Sequence, residues 1–238
     1  MKKLLILLTL FTAAPAFAAS FTPEQEVRIR EMIRETLVEN PAILAEAADA
    51  WQKQSVQAQN SQVAQVIQKN KQVLFDDPGS PRLGAAKPAL TLVYFTDYNC
   101  VFCKKFEGEL ERLMKDHPDI AVVIKPLPYR SETSLRSAQL ALTVWEQQPE
   151  KFKALHDRLM AKKGYHDSAS IEAAMIKTGQ TVKQPSQRSL ETINLNLSLA
   201  QQLGIQGTPA TLIGNQLVSG AVPYEQLEEQ VKATQRDK

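Results

Sequence analysis

The chain has 238 residues, a length that fits one large domain or a modest domain with an appendage. Its 28 basic and 26 acidic residues give a formal net charge of +2, and a charge so near zero argues against nucleic acid as a partner. Beyond the first residues, no stretch of the sequence is apolar enough to cross a membrane.

Residues 1–18 have the features of a secretory signal peptide. Lys2 and Lys3 precede an apolar run over residues 4–11, and Ala16 and Ala18 place small side chains before a cleavage site. The run is too short for a retained transmembrane helix, so we expect cleavage, with an uncleaved anchor as the alternative. Export would bring the protein into a compartment that permits disulfides.

Residues 23–39 and 42–75 predict two helices. Thr22 and Gln25 form a capping box with a proline between them, and Asn40-Pro41 repeats the pattern of cap followed by proline. No glycine or proline interrupts residues 42–75. The second helix would therefore be far longer than the typical length of about 11 to 12 residues.

The second helix carries a weak heptad pattern, because Val56, Val63 and Asn70 are seven residues apart. A lone helix of this kind has little to bury. We therefore predict that residues 19–75 form an oligomerisation stalk, in which copies of the chain bury one another's apolar side chains. The alternative is that both helices fold back on the same chain. Residues 76–88 contain three prolines and two glycines and predict a linker.

From residue 90 onward, strand and helix patterns alternate and predict an α/β domain over residues 89–238. The run of helices between the strands indicates a helical subdomain inserted at about residues 130–185. The predicted elements are a strand at 90–95, a helix at 103–116, a strand at 120–126, helices over 131–179 and 186–203, a strand ending at 213, a hairpin turn at Gly214-Asn215, a returning strand at 216–218 and a final helix after Pro223.

The two cysteines of the chain, Cys100 and Cys103, lie between the first predicted strand and the helix that follows it. This order places the first sulfur at a helix N-terminus, where unpaired N–H groups and the helix dipole favour the thiolate that attacks disulfides. A disulfide between them used only as a staple would close too small a loop to stabilise the fold much. The spacing therefore predicts thiol exchange.

Two segments carry a family resemblance. Phe95-x-Asp97-Tyr98-x-Cys100-x-x-Cys103, followed by Gly204-Ile205-x-Gly207-Thr208-Pro209, resembles the thioredoxin-fold thiol-disulfide oxidoreductases of the bacterial periplasm. The helical insertion is similar to the DsbA-like branch. The N-terminal helices, the Asp-Asp-Pro segment and the Thr-Pro pair resemble the ScsC proteins of the suppressor-of-copper-sensitivity group. The resemblance covers essentially the whole mature chain and implies a periplasmic location.

The resemblance assigns a role to four residues. It implies a thioredoxin fold in which Cys100 is the solvent-facing nucleophile and Cys103 the buried resolving thiol. Pro209 would be cis and packed opposite the cysteines, and Thr208 would offer its backbone to an extended substrate segment. No cofactor is implied.

The dipeptide between the cysteines differs from the DsbA pattern, because Val101-Phe102 replaces a Pro-His pair. Without that imidazole we expect a higher pKa for Cys100 and a more reducing pair. An aromatic residue before the second cysteine, here Phe102, and a threonine before the proline, here Thr208, are instead similar to the residues at these positions in disulfide isomerases, which oligomerise. We therefore expect an isomerase or reductase of exported proteins with non-native disulfides. It would be kept reduced by a membrane thiol reductant, and it would be a homo-oligomer through residues 23–75, with a trimer favoured and a dimer as the alternative.

Two other functions stay open at this point. The protein could be a net dithiol oxidase, or its two soft thiols could bind Cu(I) and protect against copper. A zinc site is not expected, because His117, His156 and His166 lie on separate segments. Lys104 could lower the pKa of Cys100 or could simply be solvated in the first turn of its helix.

Overall fold

A computed structural model describes residues 21–236, so the predicted signal peptide at 1–18 lies outside the described residues. Within 21–236 the chain forms eight α-helices, five strands and a short 3-10 helix, Pro149–Lys151. In chain order they are α1 (Pro23–Glu39), α2 (Ala42–Phe75), β1 (Arg82–Gly84), β2 (Leu90–Thr96), α3 (Val101–Asp116), β3 (Ile120–Pro126), α4 (Glu132–Gln147), α5 (Phe152–Ala161), α6 (Ser168–Lys177), α7 (Gln187–Gln202), β4 (Ala210–Ile213), β5 (Gln216–Ser219) and α8 (Tyr224–Arg236).

The five strands form one mixed sheet in the order β1-β3-β2-β4-β5. β2 and β3 are parallel over their full length, and α3 supplies the crossover that a parallel pair requires. β4 is antiparallel to both β2 and β5. Four helices, α4 to α7, lie between β3 and β4 in the chain. This arrangement confirms the predicted α/β fold with an inserted helical region.

The sheet has a hydrophobic core on each face, as the period of two along β2 requires. Leu92 and Tyr94 belong to the cluster that contains side chains of α3, α8 and the inserted helices. Val93 and Phe95 belong to a second cluster with α7 and the second half of α2. The strand that leads into the cysteine segment is thus held between two packed layers.

The second half of α2 packs on the sheet of its own chain. Val63, Ile67 and Leu74 are 2%, 6% and 0% exposed within the second cluster. Near the end of the helix Asn70 leaves helical geometry and donates to Gln202 on α7 over 3.2 Å. The chain accordingly divides between Ser55 and Val56. The structure thus differs from the predicted stalk over residues 56–75, because that apolar stripe covers the sheet.

The segment 76–88, which the sequence predicted to be a linker, is also part of the domain. β1 pairs antiparallel with β3, and Gly84 adopts φ +91°, where an added Cβ would lie 2.5 Å from the carbonyl oxygen of Ile120. Lys125 of β3 is fully buried and lies 3.5 Å from the Asp77 carboxylate and 2.9 Å from Ser80. Proline and glycine here shape an edge strand and a buried ion pair.

The other compact unit contains α1 and the first half of α2, and none of its described residues, 21–55, is buried. α1 begins at the predicted capping box, with the Thr22 side chain accepting from the N–H of Gln25. Large apolar side chains are exposed along both helical segments: Val27 55%, Met32 44%, Ile33 54%, Val38 71%, Ile43 40%, Leu44 56% and Trp51 68%. This unit therefore buries little of its own apolar surface.

Candidate active site

The cysteine pair lies where β2 turns into α3, as the sequence predicted. Cys100 is the N-cap residue of α3, with φ −81° and ψ 116°, and Cys103 lies in its first turn. Both cysteines are free thiols. Across the site the Thr208-Pro209 peptide bond is cis, as the resemblance implied, and it precedes β4. The fold therefore brings all four predicted site residues to one end of the sheet.

Cys100 is the acidic thiol of the pair. Its Sγ lies 3.2 Å from the carbonyl oxygen of Thr208, to which the protonated thiol donates. A hydrogen bond from Cys103 is the main cause that lowers the pKa of Cys100 to about 4. The N–H groups of Cys103 and Phe102 add to this effect, and together these hydrogen bonds outweigh the burial that would raise the pKa.

Cys103 has the opposite character. It is 0% exposed, and burial together with the neighbouring Cys100 sulfur raises its pKa well above the usual range. At neutral pH the reduced pair therefore holds one thiolate, on Cys100, and one proton, on Cys103. These opposite pKa shifts suit Cys100 to the role of nucleophile and Cys103 to that of resolving thiol.

Two expectations about Cys100 need correction. Its exposed fraction is 1%, so it does not face solvent openly, because the segment carrying Thr208 and the side chain of Arg130 lie against its sulfur. Its pKa is also strongly lowered although no imidazole lies in the Val101-Phe102 dipeptide. Hydrogen bonds from the partner thiol and from backbone N–H groups stabilise the thiolate, and these do not depend on the dipeptide side chains.

A groove of about 460 Å³ runs beside the cis-proline segment. Residues 204–209 line one part of it, and Ser219, Gly220 and Gln59 of α2 complete it. Thr208 is only 7% exposed, and its hydroxyl has no hydrogen-bond partner among the described residues. An extended peptide reaching the Cys100 sulfur would approach along backbone of this kind.

Asp97 joins the cysteine turn to the loop that follows β3. Its Oδ1 accepts the N–H of Asn99 over 2.7 Å and its Oδ2 accepts the N–H of Arg130 over 3.0 Å. The Arg130 guanidinium then lies 3.9 Å from the Cys100 sulfur. No pattern in the sequence indicates Arg130, because it lies thirty residues from Cys100 and belongs to no motif.

Asn99, which directly precedes Cys100, connects the site to the inserted helices. Its Nδ2 donates to Ser131 over 2.8 Å and to Ser134 over 3.1 Å, at the start of α4. Its Oδ1 accepts the N–H of His166 over 2.7 Å. One buried amide thus fixes the nucleophile turn against two segments of the helical insertion.

Lys104 also ties the site to the insertion. Its ammonium donates to the carbonyl oxygens of Lys162 over 2.7 Å and Gly164 over 2.6 Å. Burial and the charge of Lys162 lower its pKa. Its contacts are therefore with backbone carbonyls, and neither alternative considered from the sequence describes it fully.

A buried polar chain lies beneath the cysteine turn. Tyr98 is 1% exposed, its hydroxyl lies 3.0 Å from Nδ1 of His156, and Nε2 of His156 lies 2.7 Å from Glu107. Through these contacts Tyr98 supports the cysteine turn from below.

The other two histidines lie elsewhere. Among residues 21–236 no group of three or more His, Cys, Asp or Glu side chains could hold a metal ion.

Two family models match the chain. The model for the DSBA-like thioredoxin domain matches residues 91–232. The model for the copper resistance protein ScsC N-terminal domain matches residues 25–58. In addition, no helix within residues 21–236 is long and apolar enough to cross a membrane.

Solved structures of similar sequence share the fold. A periplasmic thioredoxin-like protein from Salmonella enterica serovar Typhimurium is 49% identical, with a TM-score of 0.68, and the match covers 70% of this chain and 95% of that one. Proteus mirabilis ScsC, in a transitional conformation, is 44% identical with a TM-score of 0.72, and the match covers 92% of this chain and 100% of that one.

One relative was found by sequence similarity. Disulfide bond formation protein D of Bacillus subtilis (strain 168) is 23% identical over 171 residues, which cover 65% of this chain and 76% of that protein.

Proposed function

The chain belongs to the DSBA-like thioredoxin domain family and is a thiol-disulfide oxidoreductase, and from that premise we propose that it acts as a disulfide isomerase or reductase on exported proteins. The similar protein from Salmonella enterica serovar Typhimurium is periplasmic, so the proposed setting is the periplasm. The observation that carries thiol exchange is the acidic thiol of Cys100, whose pKa is lowered to about 4. The preference for isomerisation or reduction over oxidation is carried instead by the apolar side chains of Val101 and Phe102, which are exposed beside that thiol. An isomerase must attack existing disulfides, and it needs a thiolate at neutral pH to do so.

The reaction begins with attack by the Cys100 thiolate on a substrate disulfide. A bond forms between Cys100 and one substrate sulfur while the substrate disulfide breaks, and the electron pair leaves with the second substrate sulfur as a thiolate. In reduction, Cys103 then loses its proton and attacks Cys100, which closes the Cys100–Cys103 disulfide and releases the first substrate sulfur. In isomerisation the released substrate thiolate attacks another substrate disulfide, which frees a different substrate thiolate. That thiolate attacks the substrate sulfur bonded to Cys100, so a new substrate disulfide forms, the bond to Cys100 breaks and Cys100 leaves as a thiolate.

The surface beside Cys100 supports a preference for misfolded substrates. Val101 and Phe102 are 56% and 54% exposed, so the nucleophile is flanked by apolar side chains. Misfolded proteins expose apolar segments, which these side chains can contact. The backbone of Thr208 would hold the extended part of such a segment by strand-like hydrogen bonds.

We propose that several copies of the site act together. The exposed apolar side chains of residues 21–55 need a partner surface, and the matching stripe of a second and third copy would provide one. A trimer is the expected assembly and a dimer the alternative. Linked copies would hold a misfolded chain by avidity while one Cys100 attacks it.

Refolding of a ribonuclease with scrambled disulfides tests the proposal. The reduced full-length protein should restore ribonuclease activity, and Cys100→Ser should abolish this effect. Cys103→Ser should accumulate mixed disulfides with the substrate through Cys100. No recovery of activity with the reduced wild-type protein would contradict the isomerase assignment.

Net oxidation is the second candidate, because the Bacillus relative is named a disulfide bond formation protein. An oxidant also has a strongly acidic nucleophile, since stabilising the thiolate stabilises the reduced form. The reduction potential separates the two functions. A value near that of DsbA, about −120 mV, would favour oxidation, and a value toward that of thioredoxin, about −270 mV, would favour reduction or isomerisation.

Copper binding is the third candidate, favoured by the match to the copper resistance family model. Two thiolates are soft ligands that suit Cu(I), and Cys100 and Cys103 lie within hydrogen-bond reach of each other. Titration with Cu(I) under anaerobic conditions tests this candidate. One tightly bound ion that is lost in Cys100→Ser would support it, and equal binding by that variant would contradict it.

A further inference from the structure

Arg130 is a cation without a carboxylate partner directly beside the nucleophile. It is exposed, and its guanidinium makes its one hydrogen bond within residues 21–236 to the Cys100 sulfur, at 3.9 Å. The nearby cations Lys104 and Lys162 instead donate to backbone carbonyls of the loop over residues 162–165. Arg130 is therefore the charge at this site that is free to meet a substrate.

Three hydrogen bonds fix the loop that carries Arg130. The N–H of Leu127 donates to the carbonyl of Thr96 over 2.7 Å, and the N–H of Arg130 donates to Asp97 over 3.0 Å. Asn99 donates to Ser131 over 2.8 Å. The same turn holds both the nucleophile and the guanidinium, so their separation does not depend on a mobile loop. This is the geometry of a positioned charge.

The charge balance changes during the reaction. In the reduced protein Arg130 faces the Cys100 thiolate, and this contact raises the pKa of Arg130. When Cys100 attacks, its negative charge leaves with the second substrate sulfur, and the mixed disulfide is neutral. The guanidinium of Arg130 then has no anion in direct contact unless the substrate brings one, because the nearby Asp97 carboxylate is held by the backbone N–H groups of Asn99 and Arg130. A carboxylate next to the substrate cysteine can fill this position as the thiolate charge disappears.

We propose that Arg130 is a specificity-determining residue that favours substrates with an acidic side chain beside the cysteine attacked by Cys100. The exposed rings of Tyr129 and Tyr165, 41% and 55% exposed, and that of Phe102 would contact the apolar part of the same segment. The preferred partner is thus an extended peptide that combines an Asp or Glu next to its cysteine with apolar neighbours. The inference rests on the proposed thiol exchange through Cys100.

A competition between two peptides tests it. One peptide carries Asp and Glu around a single cysteine, and the other carries Asn and Gln at the same places. The Cys103→Ser protein is first converted, through Cys100, to the mixed disulfide with one peptide by reaction with an activated disulfide of that peptide. It is then brought to equilibrium with equal amounts of both peptides as free thiols, and intact mass measures the ratio of the two mixed disulfides. This ratio does not depend on the pKa of Cys100, because the same protein sulfur occurs on both sides of the exchange.

The two peptides also differ in the pKa values of their own thiols, which affects the ratio of mixed disulfides in any protein. The ratio is therefore measured in Arg130→Gln as well, and the difference between the two proteins isolates the effect of Arg130. The preference for the acidic peptide should be about threefold to fivefold stronger with Arg130 than with Gln, as expected for one exposed ion pair. Arg136→Gln, an exposed arginine further along α4, should behave like the parent. The difference should vanish at about 1 M salt, where the Debye length is about 3 Å.

The outcomes separate the two levels of the proposal. An equal preference in the parent and in Arg130→Gln would overturn the role of Arg130 and leave thiol exchange intact. Absence of a mixed disulfide with either peptide would contradict both the role of Arg130 and the exchange chemistry on which it rests. Arg130→Lys, which keeps the charge, should keep a preference for the acidic peptide, and its loss in that variant would count against a charge-based explanation.

Discussion

The pKa of Cys100 should depend mainly on its partner thiol. The hydrogen bond from Cys103 is the largest cause of the lowered value of about 4. Cys103→Ala removes the donor, whereas Cys103→Ser replaces the thiol with a hydroxyl that can still donate. Neither variant can form the disulfide, so each leaves Cys100 as the one titrating thiol and avoids the coupled titration of the pair.

The size of the expected difference follows from the strength of a hydrogen bond to a charged group. Such a bond contributes about 1.5 to 3 kcal/mol, and one pKa unit corresponds to about 1.36 kcal/mol. Removing it should raise the pKa of Cys100 by about one to two units in Cys103→Ala. Cys103→Ser should stay within about half a unit of the wild-type value.

Thiolate absorbance near 240 nm, measured against pH, gives both values directly. The rate of alkylation of Cys100 against pH provides an independent check. If the Ala and Ser variants titrate at the same pH, the partner thiol is not the main stabiliser. The backbone N–H groups at the start of α3 would then carry the effect, and the argument from the Cys103 side chain would fail.

Three other predictions concern stability. Because folding lowers the pKa of Cys100, the Cys100 thiolate stabilises the reduced protein above the unfolded thiol pKa of about 8.5, and this stabilisation should be lost as the pH falls toward about 4. Urea unfolding at a series of pH values measures the loss, which should be absent in Cys100→Ser. Asp77→Asn should cost about 3 kcal/mol, because it leaves the buried ammonium of Lys125 without its counterion, whereas Asp76→Asn, at an exposed ion pair, should cost less than about 1 kcal/mol. Deleting the residues before Val56 should yield a monomer whose thermal stability is unchanged, and an oligomer after this deletion would refute the assembly proposal. Deletion through Phe75 should lower the free energy of unfolding by several kcal/mol, at about 1.5 to 3 kcal/mol for each buried side chain that is lost from the second cluster.

The elements around the cysteines follow from local sequence alone. The strand β3 has the predicted bounds, and β2 extends the predicted one by a single residue at its end, because a near-continuous apolar run between two turns specifies each strand. The pairing of Cys100 with Thr208 came from a motif rather than from physical reasoning about either segment. Nothing in the spacing of two residues more than a hundred positions apart indicates contact.

The polar residues of the site were harder to predict, for a physical reason. Asp97, Asn99 and Arg130 acquire their roles through hydrogen bonds across the site, and each would be an ordinary loop residue if the two segments lay apart. Asp97 was noticed because it belongs to the motif, but its function as an acceptor for two backbone N–H groups appears only in three dimensions. Arg130 had no such signal, and its position depends on Asp97.

The stripe on α2 shows what periodicity cannot decide. Val63, Ile67 and Leu74 lie on one face of the helix, and a stripe of that width can be buried equally by a partner helix or by a sheet. In this fold α7 alone would leave part of the sheet face made by Val93 and Phe95 uncovered, and the stripe on α2 covers the rest. Among residues 21–55 no such surface covers the exposed stripe. The break at Asn70, where a polar side chain bonds to α7, shows how the helix adapts to the sheet. Because residues 56–75 are buried in this way, the assembly that we propose would use the part of α2 before Val56.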